Sequence, residues 1–174
     1  TRLIASFFGA NWYDNPIGAT FKSGILYEGW GKKHDKIFHP FDMAAMSTHY
    51  VPQKLSNAIL KCGFFDVIET TINDPEKEID ADYIFDCRGR HNRDKSTYRP
   101  LLSPLNSVLL YKKEGSDPDL KYTRSVTTPN GWTFIIPNTD SVSYGYLYNN
   151  NITSKEDATE DFLERFNLPE IDGD

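Results

Sequence analysis

The sequence predicts an α/β (α+β) fold in which a sheet is layered with helix. Three observations support this prediction: a helical stripe followed by short apolar runs in the first part, four β-rich runs beyond residue 100, and one amphipathic helix near the end. Alternation of sheet-forming and helix-forming segments is typical of such layered folds. With 174 residues the chain is long enough for one hydrophobic core.

The first part of the chain predicts strands around one helix. FKSGILYE, residues 21–28, alternates as a strand, so Lys22 lies on the face opposite to its two neighbours. Apolar positions in residues 52–61 fit one helical stripe that starts with proline. FFDVI at 64–68 predicts a further strand, and YIF at 83–85 predicts a strand buried on both faces, as in a parallel sheet.

The second part predicts a β meander and a closing helix. Glycine, proline and asparagine separate the runs SVLLY, KYTRSVT, GWTFIIP and VSYGYLY, which read in outline as antiparallel strands. The last two runs flank the turn formers of residues 138–141 and predict a hairpin. Ser154 and Asp157 then make a capping-box-like helix start, and Pro169 follows the predicted helix end.

Composition excludes several classes of protein. A hydrophobic fraction of 39% and a charged fraction of 25% are typical of a soluble globular protein, and no apolar run approaches membrane-spanning length. The net charge of −6 is concentrated in residues 151–174, so nucleic acid is not an expected partner. Cys62 and Cys87 are too few for a disulfide framework, and Cys87 sits inside the predicted buried strand, which favours a reduced, cytoplasmic setting.

GWTFIIP, residues 131–137, is the most informative motif of the chain. It resembles the WxWxIP motif of the flavin-dependent tryptophan halogenases, which lies in a strand pair ending in a GYxY segment. Trp132, Ile136 and Pro137 match this motif, and Phe134 stands where the family has its second tryptophan. The resemblance implies that these four residues line the substrate site and that Trp132 helps to keep the substrate away from the flavin.

The segment ATFKSGILYEGW, residues 19–30, resembles the family segment around its catalytic lysine, and Lys22 falls on that lysine. In the family, reduced flavin reacts with dioxygen and halide to give hypohalous acid, which travels to the lysine beside the substrate. An ammonium group can donate a hydrogen bond to the oxygen of that acid, and a neutral amine can form a haloamine. The resemblance therefore implies that Lys22 is catalytic.

DADYIFDCRGR, residues 80–90, resembles the DADLFxDCSG segment that halogenases and related flavin monooxygenases place against their cofactor. Asp86, Cys87, Arg88 and Gly89 are accordingly the candidate FAD contacts. Arg88 stands where the family has a serine. Its guanidinium group can either meet a phosphate in bidentate fashion or obstruct the usual approach of the cofactor.

The resemblance runs discontinuously through most of the chain and implies one partial halogenase-like domain over residues 1–174. Its parts are a lysine-bearing strand region at 1–50, a remnant of an FAD/NAD(P)-binding-domain-like sheet at 51–100, and a substrate-side antiparallel sheet with the terminal helix at 101–174. No GxGxxG sequence occurs, so the N-terminal dinucleotide βαβ unit is missing, and the family's catalytic glutamate has no counterpart. We therefore expect a fragment or a shortened member that is inactive alone.

The resemblance also implies cofactors and partners. FAD would arrive reduced by a separate flavin reductase, halide and dioxygen would be co-reactants, and tryptophan, another indole or a different small aromatic molecule would be the substrate. A homodimer is compatible with the resemblance, and neither nucleic acid nor a membrane is expected as a partner.

The residues leave other functions open. An FAD-dependent aromatic monooxygenase would hydroxylate its substrate instead of halogenating it. A non-enzymatic binding module would offer Trp132 together with the three alternating tyrosines of the last predicted strand as an aromatic platform; these are Tyr144, Tyr146 and Tyr148. A metal site is disfavoured, because His34, His39 and His49 lack the regular ligand spacing of such sites.

Overall fold

The computed structural model describes residues 14–42, 47–88, 102 and 104–169. The chain divides into two compact units. The larger unit contains the described residues up to 63 and from 104 onward, and the smaller unit extends from 64 to 103.

A six-stranded sheet forms the framework of the larger unit. Its strands are β2 (Gly24–Glu28), β3 (Lys36–Pro40), β5 (Ser107–Glu114), β6 (Thr123–Thr128), β7 (Gly131–Pro137) and β8 (Ser141–Tyr148). Their order is β3-β2-β6-β7-β8-β5, with β2 and β6 parallel and the other neighbours antiparallel. A separate ribbon pairs β1 (Thr20–Lys22) with β4 (Ser47–His49) in antiparallel register. The predicted mixed fold, with a mostly antiparallel sheet, is confirmed.

Three helices accompany the strands in the described residues: α1 (Pro52–Lys61), α2 (Pro75–Glu78) and α3 (Lys155–Phe166). α1 matches the predicted helix, and Gly63 follows it in a left-handed conformation with φ of 72°. None of these helices is both long and apolar enough to cross a membrane.

The single strand predicted at residues 21–28 is wrong, because the chain changes sheet at Ser23. The backbone N–H and the hydroxyl group of Ser23 both donate to the carbonyl oxygen of Lys121, at 2.7 and 2.9 Å. The β1–β4 ladder therefore ends at Lys22, and the two hydrogen bonds of Ser23 attach the chain to the large sheet at the break between β1 and β2. The predicted alternation holds within each half, and Lys22 still lies on the face opposite to Phe21.

The predicted hairpin is present, but the four strands are not arranged in the order of a meander. The N–H of Asn138 donates to the carbonyl of Ser141 at 2.8 Å and closes the turn between β7 and β8. β5 pairs with β8, from Ser107 opposite Tyr148 to Glu114 opposite Ser141, and not with β6. The order of these four strands in the sheet is thus β6-β7-β8-β5.

Helix α3 covers one face of the sheet and forms the core. Its N-cap Ser154 accepts a hydrogen bond from the N–H of Asp157 at 3.0 Å, as the capping pattern predicts. The rings of Tyr146 and Phe162 are fully buried, with centroids 5.4 Å apart. The Tyr146 hydroxyl donates to Asp161 at 2.6 Å, which satisfies the polar end of a buried ring. The buried cluster consists of Tyr146, Tyr148, Ala158, Phe162 and Leu168.

The strands predicted at 64–68 and 83–85 are absent from the smaller unit. Among its described residues only the short helix α2 is regular, and Tyr83 and Phe85 are 82% and 86% exposed. A strand buried on both faces needs hydrogen-bonded neighbours on either side, and the described part of this unit contains no strand to supply them. The prediction of a buried strand is wrong, and so is the buried position predicted for Cys87, which is an exposed free thiol.

Candidate active site

The two faces of the large sheet carry different sets of side chains. Along β7, Thr133 and Ile135 lie opposite Tyr146 and Tyr144 and are buried on the side that α3 covers. Alternation places the intervening side chains on the other side of the sheet. We call this second side the aromatic face; it is formed by Trp132, Phe134 and Ile136 of β7 together with Thr123, Ser125 and Thr127 of β6.

Three aromatic rings form a row on the aromatic face. The indole N–H of Trp30 donates to the carbonyl of Ser125 at 2.9 Å, which fixes this ring against β6. Trp30 meets Trp132 edge-on with centroids 6.2 Å apart, and Trp132 meets Phe134 at the same separation. These distances lie in the range of favourable edge-to-face pairs. Phe134 rests directly on Gly145, where a side-chain carbon would overlap its ring.

The four predicted substrate residues do not all lie together. Trp132, Phe134 and Ile136 are partly buried on the aromatic face. Pro137 alternates to the opposite face, where it is buried opposite Val142. The sequence motif therefore supplies three neighbouring apolar side chains on the aromatic face and one residue, Pro137, that packs on the opposite face of the sheet.

The aromatic platform proposed for a binding module is wrong. Tyr144, Tyr146 and Tyr148 do share one face, but that face packs against α3. Trp132 lies opposite Leu147, on the other side of the sheet. No single ligand can stack on all four rings, because the sheet separates them.

Lys22 is a partly desolvated cation on β1. Its Nζ lies 5.5 Å from the ring centroid of Phe41, within the range of a cation–π contact. Burial lowers the pKa of Lys22 from its ordinary value. Within the described ranges no carboxylate lies at ion-pair distance from this amine.

His49 connects the ribbon to the large sheet. Its Nε2 lies 2.9 Å from the hydroxyl oxygen of Thr123, and the residue is only 6% exposed. Burial and, to a smaller extent, the charge of Lys22 lower the pKa of His49 to about 4, so its imidazole is neutral at pH 7. Thr20 is the cross-strand partner of His49, and Lys22 follows Thr20 on the same face of β1.

This connection joins the ribbon face that carries Lys22 to the side of the large sheet that carries Trp132. Thr123 belongs to the aromatic face, because Arg124 beside it points to the opposite face and bonds Glu28 there. Trp132 lies opposite Thr127, and about 13 Å of strand separates Thr123 from Thr127. The ribbon thus contacts the aromatic face at Thr123, and Trp132 lies near the other end of that face.

Sequence reasoning missed two residues of this arrangement. Trp30 stands in the lysine segment, and its contact with Trp132 depends on the parallel pairing of β2 with β6. The sequence marks His49 only as a candidate metal ligand. The described residues contain no group of three or more histidine, cysteine, aspartate or glutamate side chains able to hold a metal ion.

In the smaller unit, the guanidinium group of Arg88 is hydrogen-bonded to Asp86 and to the backbone of Ile72. Its Nε and Nη2 donate to the two carboxylate oxygens of Asp86, both at 2.9 Å, and its Nη1 donates to the carbonyl of Ile72 at 2.6 Å. A cavity of about 160 Å³ lies beside Asp86, Cys87 and Arg88. Ligand clefts are typically about 300–1,000 Å³, so these described residues do not by themselves form an FAD site. Gly89 lies outside the described residues.

The larger unit therefore combines a mixed sheet, a partly desolvated lysine and a row of aromatic rings. The family model for tryptophan halogenases matches residues 63–172. The chain belongs to the tryptophan halogenase family.

Solved structures agree with this assignment at the level of the fold. The chain is similar to a tryptophan 6-halogenase from Streptomyces toxytricini, with a TM-score of 0.64 and 18% identity over 97% of this chain and 50% of that one. It is similar to a tryptophan halogenase from Shewanella frigidimarina, with a TM-score of 0.66 and 18% identity over 97% of this chain and 48% of that one. A tryptophan C-6 flavin-dependent chlorinase from taromycin biosynthesis gives a TM-score of 0.69 at 17% identity, over 97% and 50%. The chain spans about half the length of these proteins.

Proposed function

We propose that the whole protein to which this chain belongs is a flavin-dependent halogenase of tryptophan, an indole or another small aromatic molecule. The observation that supports the proposal is the contact of His49, on the ribbon face that carries Lys22, with Thr123, on the sheet side that carries Trp132, in a member of the tryptophan halogenase family. FAD, a flavin reductase, halide and dioxygen belong in this proposal to the whole protein and not to the described residues.

Lys22 is proposed to act on hypohalous acid that reaches it as a substrate. The ammonium group donates a hydrogen bond to the oxygen of the acid, which makes that oxygen a better leaving group and the halogen more electrophilic. The environment of Lys22 suits this role, because burial lowers the pKa of the amine and no carboxylate of the described residues neutralises it. The half-buried position also limits the competition of water for the hydrogen bond.

Trp132 and Phe134 are proposed to form the apolar wall against which an aromatic substrate lies. Trp30 braces this wall from one end, because its own indole is held by the carbonyl of Ser125. Phe134 offers an apolar ring without an indole N–H, so the wall selects its substrate by shape and stacking at this position. The absence of a side chain at Gly145 leaves room for the ring of Phe134 over β8.

Replacement of Lys22 tests the catalytic role. In the whole protein, Lys22→Ala should abolish halogenation and leave FAD binding unchanged, whereas Lys113→Ala on an exposed position of β5 should leave both unchanged. Product mass in assays with bromide or chloride, together with flavin absorbance of the purified protein, measures the two properties. Full halogenation by Lys22→Ala would remove Lys22 from this role.

The same assay separates halogenation from hydroxylation, the runner-up reaction. A halogenase gives a product whose mass follows the halide supplied, and a flavin monooxygenase gives an oxygenated product whose mass does not depend on halide. An oxygenated product from every member of an indole panel would replace the proposed function with aromatic hydroxylation.

A further inference from the structure

A polar cavity of about 360 Å³ lies on the face of the large sheet opposite to the aromatic face. Residues of β2, β3, β6, β7 and β8 line it from the sheet, and the connection between β5 and β6 lines it from the other side. Ser23 holds this connection in place, since its N–H and its hydroxyl group both donate to the carbonyl oxygen of Lys121. The volume is within the range of about 300–1,000 Å³ that is typical of small-ligand clefts.

The strand register brings the polar groups of this cavity together. Arg124 is opposite Ile135, and Ile135 is opposite Tyr144, so these residues form a row across three adjacent strands. Adjacent strands are about 4.8 Å apart, which places the backbones of Arg124 and Tyr144 about 10 Å apart. Burial raises the pKa of Tyr144, the charge of Arg124 opposes this rise, and the charge of Asp117 adds to it. The phenol therefore lies within electrostatic reach of both charged groups.

The sheet side of the cavity carries an excess of positive charge. Glu28 is 8% exposed, and its two carboxylate oxygens contact Arg124 Nε and Lys36 Nζ, the latter at 2.9 Å. Burial alone would raise the pKa of Glu28, but the hydrogen bonds and charges of the two cations outweigh it and hold this pKa below its ordinary value. Two cations against one carboxylate leave one positive charge in excess. Within the described ranges Nη1 and Nη2 of Arg124 make no hydrogen bond, and they form a fork that suits a carboxylate.

The connection side of the cavity carries negative charge. Asp117 and Asp119 both line the cavity and are exposed. Oδ1 of Asp117 accepts hydrogen bonds from the N–H groups of Asp119 and Leu120, at 3.1 and 3.3 Å, which fixes this carboxylate in the connection. The carboxylate of Asp119 makes no hydrogen bond or ion pair with the part of the chain that the structure describes. The two side chains therefore offer acceptors for a cationic group.

We propose that this cavity binds an apolar α-amino acid as its zwitterion. The carboxylate of the ligand lies on the Nη fork of Arg124, its ammonium group lies against Asp117 and Asp119, and its side chain contacts Leu26 and Leu120. The proposal rests on this cavity alone and not on the proposed halogenase function.

Other small ligands match only one half of this charge pattern. The two aspartates would repel a phosphate, and the guanidinium group of Arg124 would repel a divalent cation. The described residues also contain no group of three or more side chains of the kind that holds a metal ion. A ligand with one negative and one positive group matches both sides of the cavity.

Isothermal titration calorimetry of the purified protein with L-leucine tests the proposal. The probe is aliphatic because an aromatic amino acid can also stack on the aromatic face. L-Leucine should bind, whereas 4-methylpentanoate, which lacks the ammonium group, and 3-methylbutylamine, which lacks the carboxylate, should bind at least about tenfold more weakly. Absence of L-leucine binding at about 10 mM, or equal affinity for either analogue, would overturn the proposal.

Matched variants locate the ligand. Arg124→Lys and Asp119→Asn should each weaken L-leucine binding at least about tenfold. Asp119→Asn changes only an exposed side chain, so the test remains decisive even where Arg124→Lys disturbs the ion pair with Glu28. Glu160→Gln, at an exposed position of α3 outside the cavity, and Trp132→Leu on the aromatic face should bind L-leucine as the wild type does. Unchanged binding by either cavity variant, or loss of binding in Trp132→Leu, would reject the cavity as the site.

The amino-acid site and the proposed function can fail separately. L-Leucine binding to this cavity without halogenation by the whole protein would reject the proposed function alone. Halogenation without L-leucine binding would reject the amino-acid site alone.

Discussion

His49 and Thr123 form a side-chain contact of 2.9 Å that joins two sheets of the larger unit. The imidazole belongs to the ribbon that carries Lys22, and the hydroxyl group belongs to the face that carries Trp132. The position of the amine relative to the aromatic row therefore depends on a buried histidine that must remain neutral. This dependence makes the ribbon sensitive to pH.

We predict that stability falls as the pH decreases from about 6.5 to about 4, because of His49. Its pKa is lowered from 6.5 to about 4 in the folded chain, so between these values the unfolded chain binds a proton that the folded chain does not. The loss is complete below the folded pKa and absent above the unfolded one. For a shift of this size it amounts to at most about 3 kcal/mol.

Urea unfolding of the wild type and of His49→Gln checks this prediction. Glutamine can keep a hydrogen bond to Thr123 but does not titrate, and Lys22, the charged neighbour of His49, is present in both proteins. Carboxylates elsewhere affect both proteins alike, so the difference between the two pH profiles isolates His49. Parallel profiles would show that the imidazole is accessible to protons in the folded state.

The edge-to-face contact of Trp30 with Trp132 should be measurable as a coupling energy. In a double-mutant cycle with leucine at each position, we expect the two substitutions to be non-additive by about 0.5–1.5 kcal/mol. The control cycle combines Trp30→Leu with Leu109→Ala, a change in the core on the α3 side, and should be additive. Urea unfolding of the four proteins of each cycle gives the energies, and equal coupling in both cycles would argue against a specific ring contact.

Gly145 should not tolerate a side chain. A Cβ atom at this position would overlap the ring of Phe134, so Gly145→Ala should cost about 2–3 kcal/mol of unfolding free energy. The physical cause is steric, and removal of the ring should therefore relieve it. The double variant Gly145→Ala with Phe134→Leu should be more stable than the sum of the two single changes predicts. Additive losses would place the cost in the β8 backbone instead.

The parts of the fold that follow from local sequence were predictable. The turn at 138–141 and the cap at Ser154 act within a few residues, and both form the expected hydrogen bonds. The break at Ser23 was not predictable, because it depends on a hydrogen bond to Lys121 across the sheet. The strand predicted at 83–85 failed because an apolar run alone does not supply the neighbouring strands that a buried strand needs.

The distinction between local features and long-range contacts also applies to the candidate site. The family motif located Lys22 and Trp132, since each lies in a short recognisable segment. The link between them passes through His49 and Thr123, which are 74 residues apart in the chain. The placement of Thr20 opposite His49 likewise arises from the pairing of β1 with β4. Contacts of this kind are set by tertiary register, which periodicity in one sequence does not reveal.

The Tyr146 hydroxyl should contribute measurably to the attachment of α3. It is the polar end of a fully buried ring and donates to Asp161 at 2.6 Å; burial first, and then this carboxylate, raise the pKa of Tyr146. Tyr146→Phe removes this bond and leaves Asp161 with Arg165 as its remaining partner, so we expect a loss of about 1–2 kcal/mol of unfolding free energy.

Tyr148→Phe is the matched control, because Tyr148 is in the same core and its hydroxyl makes no hydrogen bond within the described residues. Urea unfolding should show a loss for Tyr146→Phe at least twice that of Tyr148→Phe. Equal losses would mean that the hydroxyl bond adds nothing and that ring packing alone holds α3 on the sheet.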